Sequence, residues 1–223
     1  MFNLKKSLKR LKKSNQLKRL EDCKTLYEVA FHTVRKNSIK NFCFAEIGVF
    51  KGDNALGLIK YLHHFFQIQI NYIGFDLFDD IQYLKEHYPE DYQVYNLDEF
   101  PYWEFKSGGH TYKKVVEKLK QELNTKDFNL IKGDTTITLP EFISAGTSVI
   151  NLVYIDGCHD YSVVKDDWKN SEQLFLKNPK LIVVFDDLSY TGVHAVKKEI
   201  LLEDKYLTTN LNENQFLVYL KND

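Results

Sequence analysis

Phe42-Cys43-Phe44-Ala45-Glu46-Ile47-Gly48-Val49-Phe50-Lys51-Gly52-Asp53-Asn54-Ala55 is the stretch whose reading decides the fold. An apolar run of strand character ends at an acid. A turn with two glycines follows, and then a segment compatible with a helix from about residue 54 to 66. Gly48 permits a sharp turn, and Gly52 lets backbone come close to a ligand. The helix beyond them offers free N–H groups and a positive dipole end. The pattern is Glu-x-Gly-x-x-x-Gly rather than the Gly-x-Gly-x-x-Gly that cradles a pyrophosphate. It reads either as an ordinary strand-to-helix turn or as a nucleoside-type site at the carboxyl end of a first strand.

Working outward, apolar runs at 42–47, 70–75, 128–131, 149–155 and 181–185 alternate with helical stretches at 54–66, 111–123, 162–176 and 193–202. Continuous apolar strands joined by helices predict a parallel sheet covered on both faces. Runs at 205–211 and 215–220, separated by Asn212-Glu213-Asn214, predict a terminal hairpin. The expected fold is therefore α/β: a doubly wound, Rossmann-like, seven-stranded and mostly parallel sheet with a C-terminal antiparallel hairpin, plus N-terminal helices at roughly 3–19 and 22–36. Residues 1–38 read as a helical appendage and 39–223 as the main domain. The stretch 77–109 is long, acidic and aromatic, with Tyr83, Tyr88, Tyr92, Tyr95, Tyr102 and Trp103 among its residues. A loop of that length in a compact domain is usually functional or disordered, and its aromatic content argues against disorder. It reads as a lid or substrate wall inserted after the second strand.

Composition narrows the function classes. The chain has 223 residues, enough for one domain with a sizeable core. A formal net charge of −1 gives no pull toward nucleic acid. Three cysteines, Cys23, Cys43 and Cys158, are widely spaced without a CxxC pair, which fits a reducing compartment. No run approaches a membrane span, and no secretory apolar region follows the first lysines, so the expectation is a cytoplasmic protein. The first 24 residues are strongly basic, with leucines at near-helical spacing. They read as a helix that packs on the body or on a second copy of the chain, or as one that meets an anionic surface. A homo-oligomer formed through these helices is the expected assembly.

Acids stand at the ends of successive strands: Glu46, Asp76, Asp134, Asp156 and the pair Asp186-Asp187. Carboxylates are rarely buried without a partner, so such a series is hard to explain as core packing. Asp76 lies about one βαβ unit after Gly52, where an acid hydrogen-bonds the hydroxyls of a ribose. Asp134, after Gly133, could accept from an adenine amino group. Asp156, Asp186 and Asp187 come from two adjacent strands and would repel one another uncompensated. A hard divalent cation such as Mg²⁺ would resolve this; alternatively the pair caps the next helix. His159 could be a general base, a further ligand or a loop histidine.

Several stretches together resemble a family. These are Glu46-Ile47-Gly48-Val49-Phe50-Lys51-Gly52, Gly74-Phe75-Asp76-Leu77-Phe78, Lys132-Gly133-Asp134 with Thr138-Leu139-Pro140, Tyr154-Ile155-Asp156-Gly157-Cys158-His159-Asp160-Tyr161, and Phe185-Asp186-Asp187. Over roughly residues 40–220 the chain resembles class I S-adenosylmethionine-dependent methyltransferases, and more narrowly the macrocin O-methyltransferase-like group. The resemblance implies methyl transfer to a hydroxyl of a sugar or small molecule. It implies an S-adenosylmethionine site at Glu46, Gly48, Gly52, Asp76, Gly133, Asp134 and Asp156, and Mg²⁺ held by Asp156, Asp186 and Asp187. His159 and Asp156 are the expected catalytic groups. That group tends to continue Asp-Gly-Asp after the fourth strand, whereas this chain has Asp156-Gly157-Cys158-His159, similar to a broader branch of methyltransferases. An NAD-dependent oxidoreductase and a non-catalytic cofactor- or glycan-binding module are the alternatives.

Overall fold

The structure is a computed structural model and describes residues 19–78, 86, 111–123, 128–146 and 149–221. The expected helix at 3–19 and nearly all of the aromatic insertion lie outside the described residues. After a 3₁₀ turn at Leu20–Asp22 come α1 (Leu26–Asn37), β1 (Asn41–Ile47), α2 (Asp53–Phe65), β2 (Gln69–Asp76), α3 (Tyr112–Glu122), β3 (Phe128–Lys132) and α4 (Thr135–Ser144). Then follow β4 (Leu152–Ile155), α5 (Tyr161–Gln173) with a 3₁₀ turn at Leu174–Leu176, β5 (Ile182–Phe185), α6 (Thr191–Leu201), β6 (Tyr206–Asn210) and β7 (Phe216–Leu220). The seven strands are ordered β3-β2-β1-β4-β5-β7-β6. β3, β2, β1, β4 and β5 run parallel, and β7 pairs antiparallel with both β5 and β6. The mostly parallel sheet and the terminal hairpin are as the alternation of apolar runs predicts.

Strand side chains alternate between faces, and the core divides accordingly. Phe42, Phe44, Ile70, Tyr72, Leu152 and Tyr154 share one cluster with residues of α1, α2 and α3. Cys43, Ala45, Ile73, Phe75, Val153 and Ile155 share the other with residues of α4, α5 and α6. Both faces are covered, which is why the strands read as unbroken apolar runs.

Three expectations need correction. The second N-terminal helix starts at Leu26 rather than near residue 22, because Thr25 caps it by accepting from the Glu28 N–H at 3.2 Å. The fourth strand begins at Leu152 rather than 149: ahead of it the Asn151 side chain accepts from the Cys43 N–H at 2.8 Å, in place of a backbone carbonyl. Helix α4 was absent from the sequence reading. Pro140 inside it and the β-branched Thr135, Thr136, Ile137 and Thr138 are poor helix signals, and the Asp134 cap outweighs them.

Between β1 and its neighbours β2 and β4 the strand order reverses. Ligands of open α/β sheets bind in the crevice at the carboxyl ends of the strands around such a point. Glu46 and Asp76 lie at the ends of β1 and β2 on this edge, and Asp134, Asp156, Asp186 and Asp187 follow β3, β4 and β5 there.

Candidate active site

The crevice has two halves, one built on β1 and β2, the other on β4, β5 and the terminal hairpin. In the first, the end of β1 turns at Gly48 with φ +86°. A Cβ there would lie 2.0 Å from the Asp156 carbonyl oxygen, so the β1 and β4 loops cross at a distance that excludes any side chain. Gly52, with φ +71°, is the N-cap of α2. The α2 N-terminus therefore opens directly onto the crevice.

Glu46 is fully buried. Tyr72 Oη donates to its Oε2 at 2.5 Å, while Oε1 has no hydrogen-bond partner. Burial pushes the Glu46 carboxyl from its ordinary 4.5 up to about 8, and the charges of Asp156 and Asp76 add to that, against the Tyr72 bond and the Asn54 amide. It is the Oε1 atom of this buried carboxyl, beside a helix N-terminus, that lacks a hydrogen-bond partner, and a positively charged ligand group would supply one.

Asp76 ends β2 and accepts from two backbone N–H groups, those of Phe50 at 2.8 Å and of Phe78. Both donors are bulky residues in the left-handed region, with φ +48° and +55°. Such conformations cost about 1–3 kcal/mol each and concentrate at functional sites. They hold the Asp76 carboxylate at the rim of the glycine turn. Gly133 donates to the Asp76 carbonyl at 3.0 Å, which brings the end of β3 alongside. Asp134 is buried and caps α4: its Oδ1 accepts from the Thr136 N–H at 2.8 Å and the Thr136 hydroxyl at 2.7 Å. That structural duty was not foreseen from sequence.

The second half centres on three carboxyls. Asp156 accepts from the Asn54 amide at 3.3 Å, which ties it to the α2 N-terminus. Burial and then the charges of Asp186 and Asp187 push it from 3.8 up to about 8. Asp187 is the opposite case. Its Oδ2 lies 2.7 Å from His159 Nε2, and this bond, with a further one from Asn214, holds it below the usual carboxylate range. The His159 ring stacks on Tyr190, centroids 4.0 Å apart and planes 12° from parallel.

The Mg²⁺ expected at Asp156, Asp186 and Asp187 does not fit this arrangement. Asp186 already accepts four hydrogen bonds. Its Oδ1 takes the Asp187 N–H at 2.8 Å and the Asn214 amide at 3.1 Å; its Oδ2 takes the Tyr154 hydroxyl and the Gln215 amide, the latter at 3.0 Å. These fill the lone pairs a cation would need. Both oxygens of Asp187 are engaged as well. Among the described residues no group of three or more His, Cys, Asp or Glu is arranged to hold a metal ion. Sequence reasoning missed Asn54, Tyr154, Tyr190, Asn214 and Gln215. The hairpin pair could have been found from register alone, because pairing Phe216 with Phe185 sets Gln215 across from Asp186 and Asn214 across from Asp187.

Comparison with known proteins agrees with the fold. A methyltransferase-domain family matches residues 45–188. Among solved structures, the O-methyltransferase NovP is 14% identical, with 88% of this chain and 78% of that one covered at a TM-score of 0.61. An O-methyltransferase from Bacillus cereus, solved with SAH, is 10% identical over 98% and 90% of the two chains, at a TM-score of 0.56. CalS11, a TDP-rhamnose 3′-O-methyltransferase, is 15% identical over 98% and 94%, at 0.54. No curated protein sequence matches the chain. With well over half of its length inside the matched domain and the seven-stranded sheet in place, the chain belongs to the methyltransferase-domain family and has the fold of class I S-adenosylmethionine-dependent methyltransferases.

Proposed function

We propose that this chain is an S-adenosylmethionine-dependent O-methyltransferase acting on a hydroxyl of a sugar or another small molecule. The observation that carries the reading is the His159–Asp187 pair at the carboxyl edge of the sheet, beside Asp156 and across the crevice wall from the glycine turn. S-adenosylmethionine supplies a methyl group on a sulfonium whose sulfur leaves as a neutral thioether. The residues of the first half bind and orient it: Glu46 faces its ammonium, Asp76 its ribose, and Asp134 with Gly133 its adenine. Methyl transfer depends mostly on placing the acceptor oxygen in line.

The second half prepares that oxygen. With Nε2–H directed at Asp187, His159 has Nδ1 as its proton-accepting atom and takes the acceptor's hydroxyl proton there as the new O–C bond forms. The Asp187 carboxylate steadies the imidazolium that results. Asp156, joined to Asn54 on the cofactor side and feeling the charges of Asp186 and Asp187 on the other, orients the acceptor. Tyr190, stacked on His159 and 41% exposed, offers an aromatic face at the mouth of the site. Sugars and flat acceptors both rest on such faces. That CalS11 is a TDP-rhamnose 3′-O-methyltransferase supports this acceptor class.

A thermal-shift panel tests the cofactor assignment. S-adenosylmethionine and its demethylated product should raise the melting temperature, and NAD should not. Stabilisation by NAD alone would favour the oxidoreductase alternative and reject this reading.

A further inference from the structure

The hydrogen bonds of the acids leave a cation no room among them, yet Asp186 and Asp187 stand adjacent after β5, and something must hold them. The terminal hairpin does. β7 runs antiparallel to β5 with Phe216 opposite Phe185, their rings stacked at 4.6 Å. The Leu188 N–H donates to the Asn214 carbonyl at 2.9 Å and fixes the turn against the end of β5. The Asn214 amide then reaches both acids, Asp186 Oδ1 at 3.1 Å and Asp187 Oδ1 at 3.0 Å. Its donor end must face them, because the inverted amide would set an oxygen against two carboxylate oxygens. Gln215 Nε2 bridges Asp186 Oδ2 at 3.0 Å and the Tyr154 hydroxyl at 3.3 Å.

We propose that Asn214 and Gln215 are positioning residues that stand in for a divalent cation, so that methyl transfer by this chain needs none. The proposal rests on the methyl-transfer reading above. The amides supply the donors that the carboxylates require: Gln215 holds Asp186, and Asn214 holds Asp186 and acts through Asp187. With one oxygen held by Asn214, Asp187 presents the other to His159 Nε2. That bond fixes the imidazole tautomer and leaves the proton-accepting lone pair on Nδ1. The reaction balances without a metal. The acceptor O–H proton goes to His159, an O–C bond forms, the C–S bond breaks, and its electron pair remains on sulfur. The positive charge passes from the sulfonium to the imidazolium.

The test uses the whole chain labelled with ¹⁵N-histidine and read by long-range ¹H–¹⁵N correlation spectra, with His159→Gln to assign the ring. Two results are expected. The His159 ring is the Nε2–H tautomer in the native chain and loses that tautomer in Asn214→Ala. Substoichiometric Mn²⁺, a paramagnetic probe, broadens the His159 signals no more than those of His63 and His64. Selective broadening of His159 by Mn²⁺ would overturn the proposal, and so would an unchanged tautomer in a folded Asn214→Ala. Should Asn214→Ala not fold, Asn214→Ser, whose shorter side chain cannot span both acids, takes its place, and the Mn²⁺ measurement on the native chain decides regardless. Neither readout requires an acceptor. Failure here with intact S-adenosylmethionine binding would reject the clamp alone, whereas loss of cofactor binding would reject the methyl-transfer reading.

Discussion

Glu46→Gln separates what the fold prefers from what the cofactor needs. Burial holds the Glu46 carboxyl at about 8 in the folded chain against an ordinary 4.5. Between these values the folded state keeps a proton that the unfolded state releases. Because the native state binds more protons, stability falls as pH rises through this window and levels off above it. Integrating the two titrations from pH ~5 to ~8 gives a loss of about 3 kcal/mol from this one group. Glutamine does not titrate, and its carbonyl can still accept from the Tyr72 hydroxyl. The variant should therefore lose about 3 kcal/mol less stability than the native chain over the same interval. Asp156 also titrates high and is present in both proteins, so the difference between them reports Glu46 together with its coupling to Asp156. Urea unfolding followed by circular dichroism at the two pH values measures the difference. In the same variant, S-adenosylmethionine should stabilise far less, since the buried carboxyl that could ionise against its ammonium is gone. Parallel pH dependence in the two proteins would refute the raised carboxyl. Full cofactor stabilisation of Glu46→Gln would refute its role.

Asp76→Ala should weaken S-adenosylmethionine binding by about 1.5–3 kcal/mol, because a carboxylate that accepts from the ribose is removed; calorimetry showing unchanged affinity would reject the ribose assignment. Gly48→Ala should destabilise the fold by about 2–5 kcal/mol, from left-handed backbone strain together with overlap on the Asp156 carbonyl, and a loss under about 1 kcal/mol in urea unfolding would contradict the close crossing of the two loops. Asn54→Ala removes the amide that both Glu46 and Asp156 feel. Proton release on S-adenosylmethionine binding, read by calorimetry in buffers of different ionisation enthalpy, should therefore change in this variant, and identical release would argue against a shared electrostatic site.

The parallel core of the fold was legible because its strands are buried on both faces. Apolar runs such as Phe42–Ile47 and Leu181–Phe185 carry no competing helical period, and the Asn212–Asn214 turn marks the hairpin. Helix α4 was not legible, since its amphipathic signal is weak and its formation depends on a cap, Asp134, that sequence reading had assigned to the ligand. Strand-end acids were legible as a series, but their partners were not. Whether Asp186 meets a cation or an amide depends on which residues the antiparallel register places across from it. Asn214 and Gln215 are 28 and 29 positions away along the chain. The left-handed backbone at Phe50 and Phe78, which aims two N–H groups at Asp76, leaves no trace in residue type, because phenylalanine is a poor choice for that conformation.

The most direct test of the account is methyl transfer itself. The native chain is incubated with S-adenosylmethionine carrying a deuterated methyl group and a panel of nucleotide sugars and small hydroxylated acceptors, without added metal and in excess chelator. Mass spectrometry should find one labelled methyl group on an acceptor oxygen. His159→Ala should yield none while S-adenosylmethionine still raises its melting temperature. Product formed at the native rate by His159→Ala, or formed by the native chain only when a divalent cation is restored, would contradict the account.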